Sequence, residues 1–381
     1  MPWHQTAPVN ERTRFVLAHE DGLYSMIELC DRFLISRKTG YKWLARYHEF
    51  GTEGLLDRSR APHSCPHRTP PEIETAIVAK FKEYDGKWGP RILRTLLRGE
   101  CPDINWPPTS TIGDILTRKG LTKHRKRRVR KFHPGAGALV TTAPNEVWSA
   151  DYKGEVKIDG CYCFPLTILD SHSRDLLKCQ GLTSTSRVQA WPVFEDAFRQ
   201  YGLPDAIRTD NGTPFVSPGR LSLTYLSVWW LKLGIGHQRI TPGRPGENAR
   251  HERMHRTLKE ETMMPPAATM EGQQDLFDQF RERYNNVRPH QALDDEVPDS
   301  RYQPSQRQMP DRIEEPTYPG YFEVRKVSGG GVIRLKSKKI FLSHALRGEY
   351  VGLEEIKIGI WDIMFYEALL ARYDEINHKI S

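Results

Sequence analysis

Short amphipathic segments separated by tight turns make up the beginning of the chain. Their periodicity predicts helices over residues 10–20 and 25–33, and in the second helix apolar side chains recur at i, i+3, i+4 and i+7. Ser36 follows a tight turn and is a favourable N-cap for a third helix. Gly40, Trp43, Leu44 and Tyr47 share one side of that helix. The pattern predicts a small all-α module over residues 1–60.

The other side of the third helix is basic and aromatic. A helix, a tight turn and a helix with such a face are typical of a helix-turn-helix DNA-binding module, although a solvated amphipathic helix has the same pattern. The residues expected to contact DNA are Arg37, Lys38, Tyr41, Lys42 and Arg46.

A similar arrangement follows over residues 61–121. Helices are predicted over 72–84, 90–98 and 110–119, with Ser110 as the cap of the last one. Two helix-turn-helix modules in series read a longer DNA site than one. The contacts expected from this second module are Ser110, Thr111, Arg118 and Lys119.

A basic linker is predicted over residues 122–140. It holds seven Lys or Arg residues between positions 123 and 131, without an acidic residue. Such runs are often solvated tails, but the position between DNA-binding modules and a later acidic cluster favours a segment that follows DNA phosphates. The expected phosphate contacts are Arg125, Lys126, Arg127 and Arg128.

Residues 141–305 change to a mixture of strands and helices. Three successive strands are predicted over 147–158, 161–170 and 175–182. A helix over 186–201, a short buried strand over 206–209 and helices over 223–233, 248–261 and 276–288 follow. Such a succession fits an α/β core of the RNase H-like type. After a linker at 306–317, the period changes to two, and short strands with Gly-rich turns predict a small C-terminal β-barrel over 318–381.

The composition indicates a polyanionic partner and gives no sign of a membrane or secreted location. The 56 Lys and Arg residues exceed the 48 Asp and Glu residues, and the formal net charge of +8 fits a polyanionic partner such as double-stranded DNA. No stretch approaches the roughly 18 apolar residues that span a bilayer, and the N-terminus lacks the pattern of a signal peptide. We therefore expect a cytoplasmic, nucleoid-associated protein without a membrane partner.

Three acidic residues stand in informative contexts. Asp151 ends an alternating run, Asp210 ends another predicted strand just before Asn211 and Gly212, and Glu252 lies on a basic helix. Hard oxygen ligands from separate elements are what a two-metal phosphoryl-transfer site needs. We expect Asp151, Asp210 and Glu252 to be both the catalytic residues and the ligands of two Mg²⁺ ions, for which Mn²⁺ can substitute.

These contexts resemble a known family. The segments 148–151, 209–212 and 252–259 are similar to the three signatures of the retroviral-type integrase core, and 283–293 is similar to the usual end of that core in bacterial insertion-sequence transposases. The resemblance covers roughly residues 10–370. It implies a DDE transposase that cuts at element ends and joins the 3′ ends to target DNA, acting at synapsis as at least a dimer.

The third acid is a choice between Glu247 and Glu252. Glu247 lies nearer the family's usual distance from Asp210, but it falls at or before the predicted helix start, where an acid often only complements the dipole. Glu252 shares one helix face with Arg256 and Lys259, which are expected to contact DNA phosphates. Helix phase therefore favours Glu252. A loop-like insertion over residues 217–222 accounts for the extra length.

Several neighbouring residues carry weaker expectations. Asn248 is either a polar residue of the site that contacts DNA or a plain N-cap, Asp170 is expected to cap a turn, and Trp148 to be structural. His290 either contacts DNA or is packed and hydrogen-bonded. Two other functions remain open: a catalytically inert DNA-binding regulator derived from a transposase, and an RNase H-type nuclease acting on RNA–DNA hybrids.

Overall fold

The structure is a computed structural model that describes residues 8–58, 68–122, 141–241 and 248–380. The chain divides into two compact units, Met1–Arg68 and Thr69–Ser381. Within the described ranges, no helix is both long enough and apolar enough to cross a membrane.

The first unit contains the helices α1 (Pro8–Glu20), α2 (Met26–Arg32) and α3 (Arg37–Phe50). Ser25 and Glu28 form a reciprocal capping box at α2, and Ser36 caps α3 by accepting the N–H of Thr39. Gly40 lies inside α3 because a Cβ there would come within 2.9 Å of the Phe15 ring. The glycine lets α3 approach α1 closely, which offsets its low helix propensity. The predicted helix-turn-helix arrangement is confirmed.

Helices α4 (Pro71–Glu83), α5 (Pro90–Glu100) and α6 (Thr109–Arg118) begin the second unit and form the module that we call module 2. Its core includes Ile77, Phe81, Leu93 and Ile112. The expectation that Ser110 caps α6 is wrong: the N-cap position is Pro108, and no side chain caps this helix. Pro108 has a fixed φ and an extended ψ of 156°, so the N-cap lies two residues before Ser110.

The strands of the α/β core are β1 (Val147–Tyr152), β2 (Val156–Ile158), β3 (Cys161–Asp170), β4 (Leu176–Leu182), β5 (Ala206–Thr209) and β6 (Gly236–Arg239). β3 pairs antiparallel with β4, β1 and β2, whereas β1, β5 and β6 run parallel. The strand predicted over 147–158 is two strands, since Gly154 adopts a positive φ of 81° between them. β6 was not predicted, because its residues Gly-His-Gln-Arg lack the apolar side chains that indicate a buried strand.

Helices cover both faces of this sheet. They are α7 (Arg187–Tyr201), α8 (Tyr225–Lys232), α9 (Ala249–Thr262) and α10 (Met270–Asn286). α7 and α8 pack on the face that carries Trp148 and Ala150. α9 and α10 pack on the opposite face, against residues such as Leu169 and Leu176. The order of strands and the helices on both faces form an RNase H-like core, as expected.

The C-terminal strands are β7 (Glu323–Lys326), β8 (Val332–Leu335), β9 (Lys338–Phe341), β10 (Tyr350–Lys357), β11 (Ile360–Phe365), β12 (Ala368–Asp374) and β13 (Lys379–Ile380). The predicted closed β-barrel is not found among the described strands. Instead, β13-β12-β11-β10-β7 form an open sheet, and β8 and β9 pair separately. Period two determines which side chains share a face, but not whether the last strand pairs with the first.

Candidate active site

Asp151 and Asp210 lie side by side at one edge of the sheet. β1 and β5 are parallel neighbours in which Ala150 pairs with Thr209, and each acid is the next residue. Adjacent strands are about 4.8 Å apart, so this register brings the two residues together. Both carboxylates are partly exposed.

The loop after Asp210 is shaped around its carboxylate. The backbone N–H of Gly212 donates to Oδ1 of Asp210 at 3.1 Å. A Cβ at residue 212 would lie only 2.9 Å from Oδ2 of Asp210, so glycine permits this close approach. The Asn211 amide donates to the Ile240 carbonyl at 3.0 Å and ties the loop to the end of β6. These contacts explain why Asp210 is followed by Asn and Gly.

Helix α9 carries Asn248, which contacts Asp151, and the exposed Glu252, which acts electrostatically on it. Met254 and Leu258 are buried against the sheet, whereas Glu252, Arg256 and Lys259 are exposed, as the helix phase predicts. Asn248 occupies the N-cap position, but its side chain makes no capping hydrogen bond. Its amide instead donates to Oδ2 of Asp151 at 3.3 Å. Asn248 is therefore a polar residue of the site. Glu247 lies outside the described residues.

The carboxyl of Asp151 is hard to ionise. Burial, the charge of Asp210 and, more weakly, the charge of Glu252 raise the pKa of Asp151 to about 7. Two of these causes are repulsions between carboxylates. A cation between the acidic groups would relieve that repulsion.

A buried hydroxyl organises two histidines beneath Asp151. Oγ1 of Thr167 lies 3.0 Å from the backbone carbonyl of Asp151, 2.6 Å from Nε2 of His251 and 2.7 Å from Nε2 of His255. The carbonyl can only accept, so the single hydroxyl proton is donated to it. With the hydroxyl proton assigned to the carbonyl, both imidazoles donate their Nε2 protons to the Thr167 oxygen.

This arrangement leaves both Nδ1 atoms as acceptors. His251 accepts from the Ser149 hydroxyl at 2.8 Å. Nδ1 of His255 faces Oδ2 of Asp151 at 3.7 Å. Burial lowers the pKa of His251 to about 3 and the pKa of His255 well below its ordinary value, so both rings are neutral. Two acceptors therefore face each other, and either a proton or a cation must lie near them.

Sequence reasoning missed these histidines. The segment from His251 through Glu252 to His255 matches the His-Glu-x-x-His pattern, in which two histidines one helical turn apart bind zinc. The pattern was a usable signal, and Asp151, His251 and His255 are the group of described residues whose ligand atoms come together. The structure gives the spacing another role, because both Nε2 atoms converge on the Thr167 hydroxyl.

The donor set suits hard divalent cations. Asp151 and Asp210 follow paired residues of neighbouring strands, and both Asp210 and the exposed Glu252 act electrostatically on Asp151. The neutral Nδ1 of His255 offers a nitrogen 3.7 Å from the Asp151 carboxylate. Oxygen donors favour Mg²⁺, and an imidazole nitrogen is also acceptable to Mn²⁺. The residues present therefore fit a divalent metal.

Residues expected to contact DNA have varied surroundings. Arg37, Lys38, Tyr41 and Lys42 are exposed on α3, and Arg46 is half-buried. Arg118 and Lys119 pair with the buried Glu74, so they also stabilise module 2. Ser110 is exposed and Thr111 is half-buried at the start of α6. Positions 125–128 lie outside the described residues.

Three weaker expectations concern packing. Asp170 accepts from the N–H and hydroxyl of Ser173 and caps the turn after β3, as expected. Trp148 is fully buried, packs near Phe198 and donates its indole N–H to Asn145, which confirms a structural role. His290 packs edge-on against Tyr284 and lines a cavity described below.

Comparison with known proteins agrees with this geometry. Models described as "Integrase core domain" match residues 141–245 and 233–298. A "Helix-turn-helix domain" matches 11–63 and a "Homeodomain-like domain" matches 39–116. The chain is thus similar to insertion-sequence transposases with an integrase-type core.

Two curated relatives come from insertion elements. The "Insertion element IS476 uncharacterized 39.2 kDa protein" of Xanthomonas euvesicatoria is 27% identical over 70% of this chain and 75% of its own length. The "Insertion element IS407 uncharacterized 31.7 kDa protein" of Burkholderia multivorans is 28% identical over 58% of this chain and 78% of its own length.

Among solved structures, the HTLV-2 integrase catalytic core domain in complex with magnesium is similar to part of the chain. It has 15% sequence identity and a TM-score of 0.34, and the match covers 42% of this chain and 98% of that one.

Proposed function

We propose that the protein is a DNA transposase that binds the ends of its element, cleaves to release 3′ ends and transfers them to target DNA. The observation that carries this proposal is the register of β1 and β5, in which Ala150 pairs with Thr209 directly before the two aspartates. The register of β1 and β5 supports the pairing of Asp151 with Asp210, and the repulsion felt by Asp151 supports the proximity of Glu252.

The residues of the site have distinct parts in this chemistry. Asp151, Asp210 and Glu252 hold two Mg²⁺ ions, or Mn²⁺ in their place. When bound, the ions supply charge neutralisation at the phosphate and activate water or a 3′-hydroxyl for in-line attack. Asn248 orients the Asp151 carboxylate through its amide, and Thr167 fixes the backbone beneath it. Arg256 and Lys259, exposed on α9, hold DNA phosphates beside Glu252.

The remaining parts of the chain deliver DNA to the site. The proposed ligands are the double-stranded terminal repeats, which α3 and α6 recognise, and the target DNA. The linker around residues 125–128 follows the phosphates between them. Joining two ends requires at least a dimer at synapsis, and the C-terminal strands provide a docking surface for DNA or protein.

Strand transfer on duplexes that carry the flanking ends tests the proposal. With Mg²⁺ or Mn²⁺, we expect nicking and joining, and a loss of about 100-fold or more in Asp151→Asn, Asp210→Asn and Glu252→Gln, because each removes a metal ligand. Glu260→Gln is the matched control, since Glu260 is exposed on the same helix. Glu247→Gln tests the other candidate for the third ligand.

The same assay separates the alternatives. If Glu252→Gln keeps full strand-transfer activity and Glu247→Gln loses it, Glu247 would be the third acidic metal ligand instead of Glu252. Binding of the ends without cleavage or joining under any metal condition would favour an inert regulator. Cleavage confined to RNA–DNA hybrids would favour a nuclease.

A further inference from the structure

A cavity of about 530 Å³ lies between module 2 and the catalytic core. It is lined by the start of α5, the start of α9 and the segment that follows α10. Ligand sites in proteins commonly measure about 300–1,000 Å³, so the space is large enough for part of a nucleotide. The predicted catalytic acids do not line it, and of the residues with an expected DNA contact only His290, for which packing was the alternative, does so among the described residues.

Direct contacts hold the walls of this cavity in place. Glu261 of α9 accepts the indole N–H of Trp88 at 3.2 Å and pairs with Arg288 at 2.8 Å. Arg91 of α5 makes two 3.0 Å hydrogen bonds to the carboxylate of Asp295. Module 2 is therefore fastened to the core on both sides of the cavity, and the space between them is a defined site.

The walls carry an excess of positive charge. The described lining residues include five arginines, which are Arg91, Arg174, Arg250, Arg253 and Arg288. Asp295 and Glu261 neutralise two of them. Within the described ranges, Arg174, Arg250 and Arg253 have no carboxylate at ion-pair distance, and Arg250 donates only to the neutral carbonyl of Ser171. Three guanidinium groups are thus available to an anion.

The guanidinium group of Arg174 has buried nitrogen atoms without hydrogen-bond acceptors in the described part of the chain. Its Nε and Nη1 atoms are buried and have no hydrogen-bond partner among the described residues. Burial and the nearby charges of Arg250 and Arg253 lower the pKa of Arg174 to about 10. A buried guanidinium without a partner is costly, and a bound anion would remove that cost.

The N-terminal ends of α5 and α9 also favour an anion in this cavity. α5 and α9 both begin at this cavity, and neither N-cap residue makes a side-chain capping bond. The N-terminus of a helix carries a partial positive charge and unpaired N–H groups, so both ends favour an anion.

A second cavity of about 590 Å³ shares Arg91 and Asp295 with the first. It continues along α5 past Arg94 and Arg98 to Thr109, the first residue of α6. The two cavities meet at Arg91 and Asp295, and together they form a groove that runs from Thr109 at the start of α6 to Arg253 on α9. A continuous groove fits a polyanion better than a single free phosphate.

We propose that this groove binds the phosphodiester backbone of a DNA strand between module 2 and the catalytic acids, with Arg174, Arg250 and Arg253 around one phosphate. The inference rests on the proposed function only in taking DNA as the substrate. It adds an anchoring site on the face of α9 that carries Arg250 and Arg253, beside the face that carries Glu252.

The test measures binding of a fluorescent 30-base-pair duplex by anisotropy in EDTA, over a range of KCl concentrations. Arg253→Ala and Arg98→Ala remove exposed side chains. Each is expected to weaken binding about eightfold at 0.1 M salt and to lower the log–log salt slope by about 0.9, as for one lost phosphate contact. Arg199→Ala is the matched control, because Arg199 lies on the exposed surface of α7 outside the groove.

Each result has a definite meaning. Equal affinities and slopes for Arg253→Ala, Arg98→Ala and Arg199→Ala would overturn the proposal. Displacement of DNA by equimolar inorganic phosphate or ATP would assign the groove to a free anion and overturn it as well. Arg174→Gln adds a buried variant, whose folding is checked by circular dichroism. Binding in EDTA needs no catalysis, so failure of strand transfer alone would count against the proposed function and leave this inference standing.

Discussion

Replacing Thr167 by valine removes the hydroxyl on which His251 and His255 converge. The side chain of Thr167 is fully buried, so water cannot take its place without a rearrangement. Valine has nearly the same shape, and the loss therefore falls on the two imidazole N–H groups. Leaving one buried donor unpaired costs about 1–3 kcal/mol, so the variant should lose about 2–6 kcal/mol of unfolding free energy.

Thr167→Ser is the matched control, since it keeps the hydroxyl and deletes one buried methyl, at a cost of about 1 kcal/mol. Urea unfolding followed by near-ultraviolet circular dichroism measures both variants. Long-range ¹H–¹⁵N spectra of histidine-labelled protein should show the Nε2–H tautomer for His251 and His255. Valine and serine variants of equal stability, or an Nδ1–H tautomer at either histidine in the wild type, would refute the hydrogen-bond assignment.

Two further predictions concern the carboxylates. Gly212→Ala should displace the Asp210 carboxylate, because the new Cβ would lie 2.9 Å from Oδ2 of Asp210. Strand transfer should therefore fall at least about tenfold. Gly219→Ala is the control and should leave strand transfer unchanged, because the nearest atom to its new Cβ lies at 3.6 Å. In EDTA, the wild type should lose unfolding free energy relative to Asp151→Asn between pH 5 and pH 8, because burial raises the pKa of Asp151 to about 7 and the folded wild type holds a proton there that the unfolded chain lacks. The buried His237, His251 and His290, whose pKa values are lowered to about 4, 3 and 4, act in the opposite direction in both proteins and cancel in this difference. Urea titrations at each pH measure it, and equal pH dependences of the two proteins would contradict the assignment.

The sequence pattern within one helix or turn was sufficient to predict those features of the site that depend on that element alone. The phase of α9 alone placed Met254 and Leu258 inward and Glu252 outward, and the structure agrees. The turn after Asp210 was also visible, although the reason for Gly212 lies in its distance from the carboxylate. The loop predicted at residues 217–222 is closed by a hydrogen bond from Ser217 N–H to the Ser222 carbonyl.

Hydrogen bonds between residues that are far apart in the sequence could not be predicted from local patterns. Thr167 lies 84 and 88 residues before the histidines that it joins, and Trp88 lies 173 residues before Glu261. The prediction of a closed barrel was wrong for the same reason, because the alternation within each strand does not determine whether the first and last strands pair.

The sequence by itself thus determined which elements form, which faces are buried and which acids stand at strand and helix positions suited to a metal. Those properties follow from side-chain periodicity and capping within short segments. Only the tertiary structure decided that Asp151 rests on a threonine–histidine network, and that module 2 and α9 enclose an arginine-lined groove. These features depend on strand register and docking, whose hydrogen bonds join residues that no local pattern connects.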